Sequence, residues 1–384
     1  MMRRVLYALA AIAVLVGLWG LYSRFAHGHQ DTAYGSYVVW GLWVAMYLFF
    51  TGLAGGMFVF ATLDYLFHVR MFARTGRLSL FVALITLGAG LFHIWLDLGH
   101  GFRIWKVYLQ PNFASVMTQV TWGYTLFGLL ILVMLIMSFR PERFARWLKG
   151  LSAIGLPLAL FLSGGVGALL GVQAARPFWH VGLFPVQFPF FSLASAAALL
   201  LLIYGLFDEA ANEQRPQLLW TLALLTVVLQ VIKLYFLWAD LSQSLYGGIP
   251  QNVAAVTALL FGPYWWSFWF IQILLGSLVP LLILTQRRLA TRPAWAALAG
   301  VLVLLGFAVA RANIVFPALS VPELEQLIGA FHDARLQFEY FPSLVEWAVS
   351  IGVSGMAGLA FLVGQDLLPL TARHPRAIAS LTSQ

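Results

Sequence analysis

The chain has 384 residues, of which 61% are apolar and only 9% charged, against about 45–50% and about 25% in ordinary soluble domains. No soluble domain of this size hides so much apolar side chain, so the class is an all-α integral membrane protein, multi-pass in the lipid bilayer. The net charge of +8 sits in short loops between apolar runs, where it sets membrane orientation, so nucleic acid is not the partner. The absence of cysteine excludes disulfides, thiolate-bound iron–sulfur clusters, c-type haem attachment and cysteine nucleophiles.

A helix needs about 20 mainly apolar residues to cross a bilayer. The first such run, 5–23, lies in MMRRVLYALAAIAVLVGLWGLY. It is longer than a typical signal-peptide core, and nine spans follow, so an uncleaved first helix is expected. Arg3-Arg4 lacks the rest of a twin-arginine signal. The other nine runs are 37–67, 79–98, 118–139, 151–173, 190–207, 217–239, 264–285, 294–314 and 343–364. The second is long enough to tilt or to extend beyond the membrane. No long polar segment separates them, which predicts one membrane domain over 1–384. Gly52/Gly56 and Gly167/Gly171 are GxxxG pairs that let helix backbones approach closely, a signal common to polytopic proteins.

The N-terminus, 68–78, 140–150, 208–216, 286–293 and the C-terminal tail together hold fifteen Lys and Arg. The alternate connections hold five: Arg24, Arg103, Lys106, Arg176 and Arg335. The first set is therefore read as cytoplasmic, with both termini inside. The outer connections, 99–117, 174–189, 240–263 and 315–342, are the longer ones, so the outer face is expected to carry the working surface. In the last of them Leu324, Leu327, Ile328 and Phe331 recur at helical spacing after Pro322. That predicts a short amphipathic helix on the outer surface, with a plain loop as the alternative.

Ionisable residues within spans usually face the bundle interior and often mark function. Here they are Asp64, His93, Asp97, Lys233, Arg311 and Glu346. Asp64 reads as a solvated or ion-paired residue at the cytoplasmic end of its helix. Lys233 shares a face with Asp240 or snorkels outward. Arg311 and Glu346, near the outer ends of spans nine and ten, are expected to pair. His93 and Asp97 are four apart, on one helix face, in the stretch GLFHIWLDLGHGFRIW at the hydrocarbon edge.

Of eight histidines only His93 is clearly inside a span. A di-haem cytochrome, which needs four facing axial histidines, is disfavoured, and so is a metal cage. An organic molecule that exchanges protons remains. A quinone head needs a donor or acceptor at each carbonyl and a proton carrier close by. An imidazole and a carboxylate supply both.

At this point the residues resemble a known family. WGLW (40–43) followed by MYLFFTGLAGG (46–56) is similar to the first core helix of the NrfD/polysulfide reductase (PsrC-like) membrane subunit family. LDLGHGFRIWKVYLQPNFASVMTQVTWG (96–123) resembles its most specific signature: Asp97-Leu98-Gly99, then Pro111-Asn112, Ser115-Val116-Met117 and Trp122-Gly123. LLGVQAARPFWH (169–180) resembles the outer end of the following helix. The strong resemblance covers about 35 to 180, and ten spans fit the longer branch of the family. Two departures stand out. His100-Gly101 replaces the common Arg-Pro, with Arg103 as the candidate replacement charge. Leu169 stands where many relatives carry a quinone-contacting tyrosine, with Gln173, one turn on, as a substitute donor.

The resemblance implies two four-helix bundles, 37–173 with the quinone site and 190–314, with 5–23 and 343–364 flanking them. It implies a subunit of the bacterial inner membrane that binds menaquinone or ubiquinone near the periplasmic face. The chain itself would carry no haem, iron–sulfur cluster or metal. Electrons would pass to or from a periplasmic ferredoxin-like iron–sulfur subunit, and through it a molybdopterin enzyme, hydrogenase or multihaem cytochrome. On this reading Asp97 takes or gives protons, and His93 hydrogen-bonds one quinone oxygen. Trp40, Trp43 and Trp122 form flat walls, while Arg103 and Asn112 hold a roofing loop. The rival readings are a pure membrane anchor without a quinone site and a secondary transporter. Transporters usually show broken midplane helices and paired repeats, whereas the polar groups here collect at one face.

Overall fold

The computed structural model describes residues 2–73, 75–207, 215–328, 333 and 335–370. Among them ten helices are long and apolar enough to cross a membrane. We label them α1 (Met2–His27), α2 (Leu42–Tyr65), α3 (Gly76–Asp97), α4 (Val116–Ser138), α5 (Pro141–Gly171), α6 (Phe184–Leu206), α7 (Arg215–Tyr246), α8 (Ser267–Leu284), α9 (Pro293–Ser320) and α10 (Leu344–Leu367). Each predicted apolar run overlaps one of them, although the second run, 37–67, reaches beyond both ends of α2 and the eighth, 264–285, beyond both ends of α8. Several helices extend beyond their run, because backbone hydrogen bonding continues after the hydrocarbon ends. α5 starts at Pro141, not 151, and bends at Phe144 (φ −112°, ψ 16°) where the basic interfacial turn meets the span.

Helices α2 to α5 pack in a ring, each on the next and α5 back on α2; α6 to α9 form a second ring. The rings meet where α2 packs on α6 and α9, and α5 on α6. α1 pairs with α10, and α10 rests on α3 and α2. α2 is the centre of the molecule, apolar all round and buried along most of its length, as a helix surrounded by others must be. At the basic face Arg3 Nη1 reaches Asp366 Oδ1 at 2.7 Å, so the start of α1 and the end of α10 lie on the same side.

Two backbone features have local causes. Residues Ser267–Leu278 of α8 form a π-helix. Pro280 has no N–H to give the Gly276 carbonyl, and Gln230 Nε2 of α7 donates to that carbonyl instead at 2.8 Å. Gly17 of α1 and Gly352 of α10 touch backbone to backbone, so a Cβ on either meets the other's Cα. Gly352→Val is therefore expected to part α1 from α10. Thermal unfolding of the purified complex should give a lower midpoint for Gly352→Val than for the wild type, and an unchanged midpoint would contradict this contact.

Three expectations are corrected. The amphipathic helix of the last outer connection reduces, in its described part, to one 3-10 turn at Glu325–Leu327; residues 329–332 and 334 lie outside the described residues. Arg311 and Glu346 do not pair. Arg311 is 3% exposed, with its guanidinium 3.8 Å over the Phe188 ring, while Glu346 binds backbone. Lys233 does not snorkel: it is 1% exposed, and its Nζ donates to Ser277 Oγ at 2.9 Å inside the second ring. Asp64, half-buried at the end of α2, accepts the Gly76 N–H at the start of α3 at Oδ2, 3.0 Å away. An outer helix at Pro250–Leu260, packed on α9 and α7, was not anticipated.

Candidate functional site

α3 ends at Asp97, and Leu98 turns the chain into an extended conformation (φ −64°, ψ 127°). A helix end leaves carbonyls without partners. Here Arg24, in the last turn of α1, supplies them: Nε donates to the Leu96 carbonyl at 2.8 Å and Nη2 to that of Leu98 at 3.0 Å. A cation at a helix C-terminus is also favoured by the helix dipole. The charge at the D-L-G turn thus comes from α1, while Arg103, the expected replacement, is exposed.

The segment between α1 and α2 folds over this end. The His29 ring lies 5.4 Å from that of Tyr34 and 6.2 Å from that of Trp43, and Tyr34 meets Trp43 edge-on at 6.0 Å. Glu346, 0% exposed, fastens the segment. Its carboxylate accepts the N–H of Ala33 (2.9 Å), Leu42 (3.2 Å) and Ser343 (3.2 Å) and the hydroxyl of Tyr340. Trp43 Nε1 donates to the Glu346 carbonyl at 3.2 Å.

Burial, and then the positive charge of Arg24, pull the His29 pKa down to about 4. Burial, and then the negative charge of Asp97, push the Tyr34 phenol up. Both residues are therefore neutral at pH 7. The folded-state pKa of His29 lies below its unfolded value, so the unfolded chain binds the extra proton first. Stability is expected to fall as pH drops from about 6.5 to about 4. Thermal midpoints measured across that range should show the slope, and His29→Gln should flatten it.

Within α3, His93 is 0% exposed and stacks on Phe50 at 5.5 Å. Its Nδ1 donates to the Ala89 carbonyl at 2.8 Å. The neutral ring then presents Nε2 as a bare acceptor, a tautomer assigned from that carbonyl. The Tyr34 hydroxyl adjoins the Asp97 carboxylate, and His29 adjoins the backbone of Leu96 and Asp97. No hydrogen bond of full geometry reaches Asp97 Oδ1, His29 Nε2 or Tyr34 Oη, and His93 Nε2 has no partner within the protein. Buried polar atoms are seldom left so. Together they offer acceptors, a hydroxyl donor and a carboxylate, the set a molecule with ring oxygens and exchangeable protons requires. That chemistry fits a quinone head.

The other expected residues fall into two neighbourhoods. Trp40 stacks on Trp179 at 5.3 Å. With Gln173, Tyr37 and Arg176 it lines a cavity of about 210 Å³ near the outer mouth. Gln173 Nε2 is turned back to the Leu169 carbonyl at 3.4 Å. Trp122 donates to the Val107 carbonyl at 3.3 Å and packs on Tyr108 and Phe113, so it braces the 101–113 loop. The exposed Asn112 caps the Ala114 N–H at 3.1 Å within that loop. Trp43 instead packs on His29 and Tyr34, in the segment that folds over the end of α3. The reading of the sequence missed Arg24, His29 and Tyr34 at this site, and it singled out Glu346 but with the wrong partner. The one available signal was the polar run Arg24, His27, His29, Asp31 directly after the first span.

The profile described as "Polysulphide reductase, NrfD" matches residues 31–323. The chain belongs to the NrfD/polysulphide reductase family. It is 31% identical to a selenate reductase subunit of Mesobacillus selenatarsenatis, over 96% of this chain and 95% of that protein. It is 26% identical to a putative dimethyl sulfoxide reductase membrane subunit of Halobacterium salinarum, over 96% and 91%. It is 23% identical to the menaquinone reductase integral membrane subunit of Nitratidesulfovibrio vulgaris, over 94% and 91%. These NrfD relatives are membrane subunits of reductase complexes, and this chain, with its ten spans, is a multi-pass membrane protein. Arg24, in α1, and His29, just after it, lie before the start of the match at residue 31.

Proposed function

We propose that this chain is the quinone-reactive membrane subunit of a respiratory oxidoreductase complex in the bacterial inner membrane. It exchanges electrons between the quinone pool and a periplasmic ferredoxin-like iron–sulfur subunit that connects to the catalytic subunit. The observation that carries this reading is the cluster of buried polar groups at the end of α3, His93, Asp97, His29 and Tyr34, whose hydrogen-bonding capacity the protein leaves incompletely used. The fifteen-to-five division of Lys and Arg supports placing that end at the periplasmic face, and a relative named as a menaquinone reductase subunit supports the substrate class.

When bound, a quinol supplies two electrons and two protons. Asp97 would receive the two protons in turn at Oδ1, releasing the first through the outer loops before it takes the second, while the two electrons leave one at a time to the iron–sulfur subunit. His93 would accept a hydrogen bond at Nε2, held in one tautomer by the Ala89 carbonyl. Tyr34, neutral at pH 7, would donate its hydroxyl toward the Asp97 carboxylate it adjoins. Arg24 holds the helix end in place and offsets the carboxylate charge. Glu346 and Trp43 keep the 28–42 segment closed over the site, which excludes water and strengthens these interactions.

The test is electron transfer between quinol and the catalytic subunit in the assembled complex, with and without a quinone-site inhibitor. The reading requires inhibition. Transfer that ignores the inhibitor would leave the chain as an anchor.

A further inference from the structure

An apolar crevice of about 530 Å³ separates the α1–α10 pair and the first ring from α6 and α9. Its lining is apolar except for Thr86 and Ser354, and the Thr86 hydroxyl is already donated to the Val82 carbonyl at 2.8 Å. Val301 and Leu305, 45% and 42% exposed, lie on its lip, so it opens sideways into the bilayer. Protein interiors are close-packed, and a space of this size at hydrocarbon depth is suited to a flexible apolar chain. One lining residue identifies which chain. Phe50, about 12 Å into α2 at 1.5 Å per residue, borders the crevice and stacks on the His93 ring. The crevice therefore begins at the candidate head site and runs toward the basic face, where Phe207 meets Phe361 edge-on at 5.3 Å.

We propose that this crevice holds the polyprenyl tail of the quinone and is its lateral entry from the membrane; the assignment rests on the head-site reading above. A phospholipid fits less well. The lining offers no cation for a phosphate, and Arg3, beyond its inner end, is committed to Asp366 at 2.7 Å. The site should therefore discriminate quinones by their tails.

Gly358 lines the crevice, and a Cβ built there has no neighbour within 4 Å, so a larger side chain enters the space without clashing with protein. The experiment compares the purified wild-type complex with Gly358→Phe, using a long-tail quinol, a tail-less quinol and a polyprenyl quinone carrying a photoreactive diazirine in its tail. In the wild type the probe should label crevice residues of α6, α9 or α10. In Gly358→Phe that labelling should be lost, and KM for the long-tail quinol should rise by about tenfold relative to KM for the tail-less one. Labelling outside the crevice, or an unchanged ratio of the two KM values, overturns the tail site. Displacement of the probe by a diacyl phospholipid as readily as by quinone also overturns it and assigns the crevice to bilayer lipid. Failure of the head-site reading looks different: the wild-type complex then turns over neither quinol, and both proposals fall.

Discussion

Asp97→Asn is expected to lower quinol-linked turnover of the assembled complex by about 10²–10³-fold, within the range that a positioned general base contributes. The amide matches the carboxylate in shape, and its oxygen can still accept from the adjoining Tyr34 hydroxyl, so assembly and detergent stability should stay close to the wild type. What is lost is the ability to take a proton. The deficit should therefore appear in kcat with little change in KM, the pattern of an interaction made in the transition state. Steady-state kinetics over a range of quinol concentrations checks this. A raised KM at wild-type kcat would make Asp97 a binding residue, and near-normal rates would remove it from the reaction.

Glu346→Ala is expected to be the most destabilising single change at the outer face, by about 3–5 kcal/mol. The carboxylate holds three backbone N–H groups and the Tyr340 hydroxyl. Its removal leaves the Ala33 and Ser343 N–H groups and the Tyr340 hydroxyl without this acceptor, each at a cost of about 1–3 kcal/mol, while the Leu42 N–H keeps the Tyr340 oxygen at 2.8 Å. Glu346→Gln keeps one oxygen and should fall between the two. Thermal unfolding of the purified complex gives the order wild type, Gln, Ala. Because the same carboxylate fastens the segment carrying His29 and Tyr34, quinol-linked turnover should fall in that order too. An Ala variant with the wild-type midpoint would show that the segment is held by other means.

The parts of this molecule that could be read from its sequence are those set by local chemistry. Ten apolar runs gave ten spans, because a bilayer forces backbone hydrogen bonds to close within each helix. His93 and Asp97 could be placed on one face because they are one helical turn apart. The rest of the site depends on partners far along the chain. Arg24 meets Leu96 72 residues on, and Glu346 meets Ala33 across 313; neither separation leaves a trace in hydropathy or spacing. Arg311 and Glu346 were paired in expectation because opposite charges in a membrane seek each other. Instead, three backbone donors satisfy the glutamate, and the arginine lies against Phe188 and Phe191. Ring faces can stabilise a desolvated cation, a possibility that charge pairing alone does not suggest. Within the π-helical stretch of α8 the Gly276 carbonyl accepts from Gln230 of α7, a contact likewise invisible in the α8 sequence.

The most direct measurement is a cryo-EM map of the assembled complex with a quinone-site inhibitor bound. Ring density is expected within hydrogen-bond distance of Asp97 and of His93 Nε2, beside Tyr34 and Trp43. Ring density confined to the outer cavity between Trp40 and Trp179, with the end of α3 unchanged, would contradict a quinone head at Asp97 and His93.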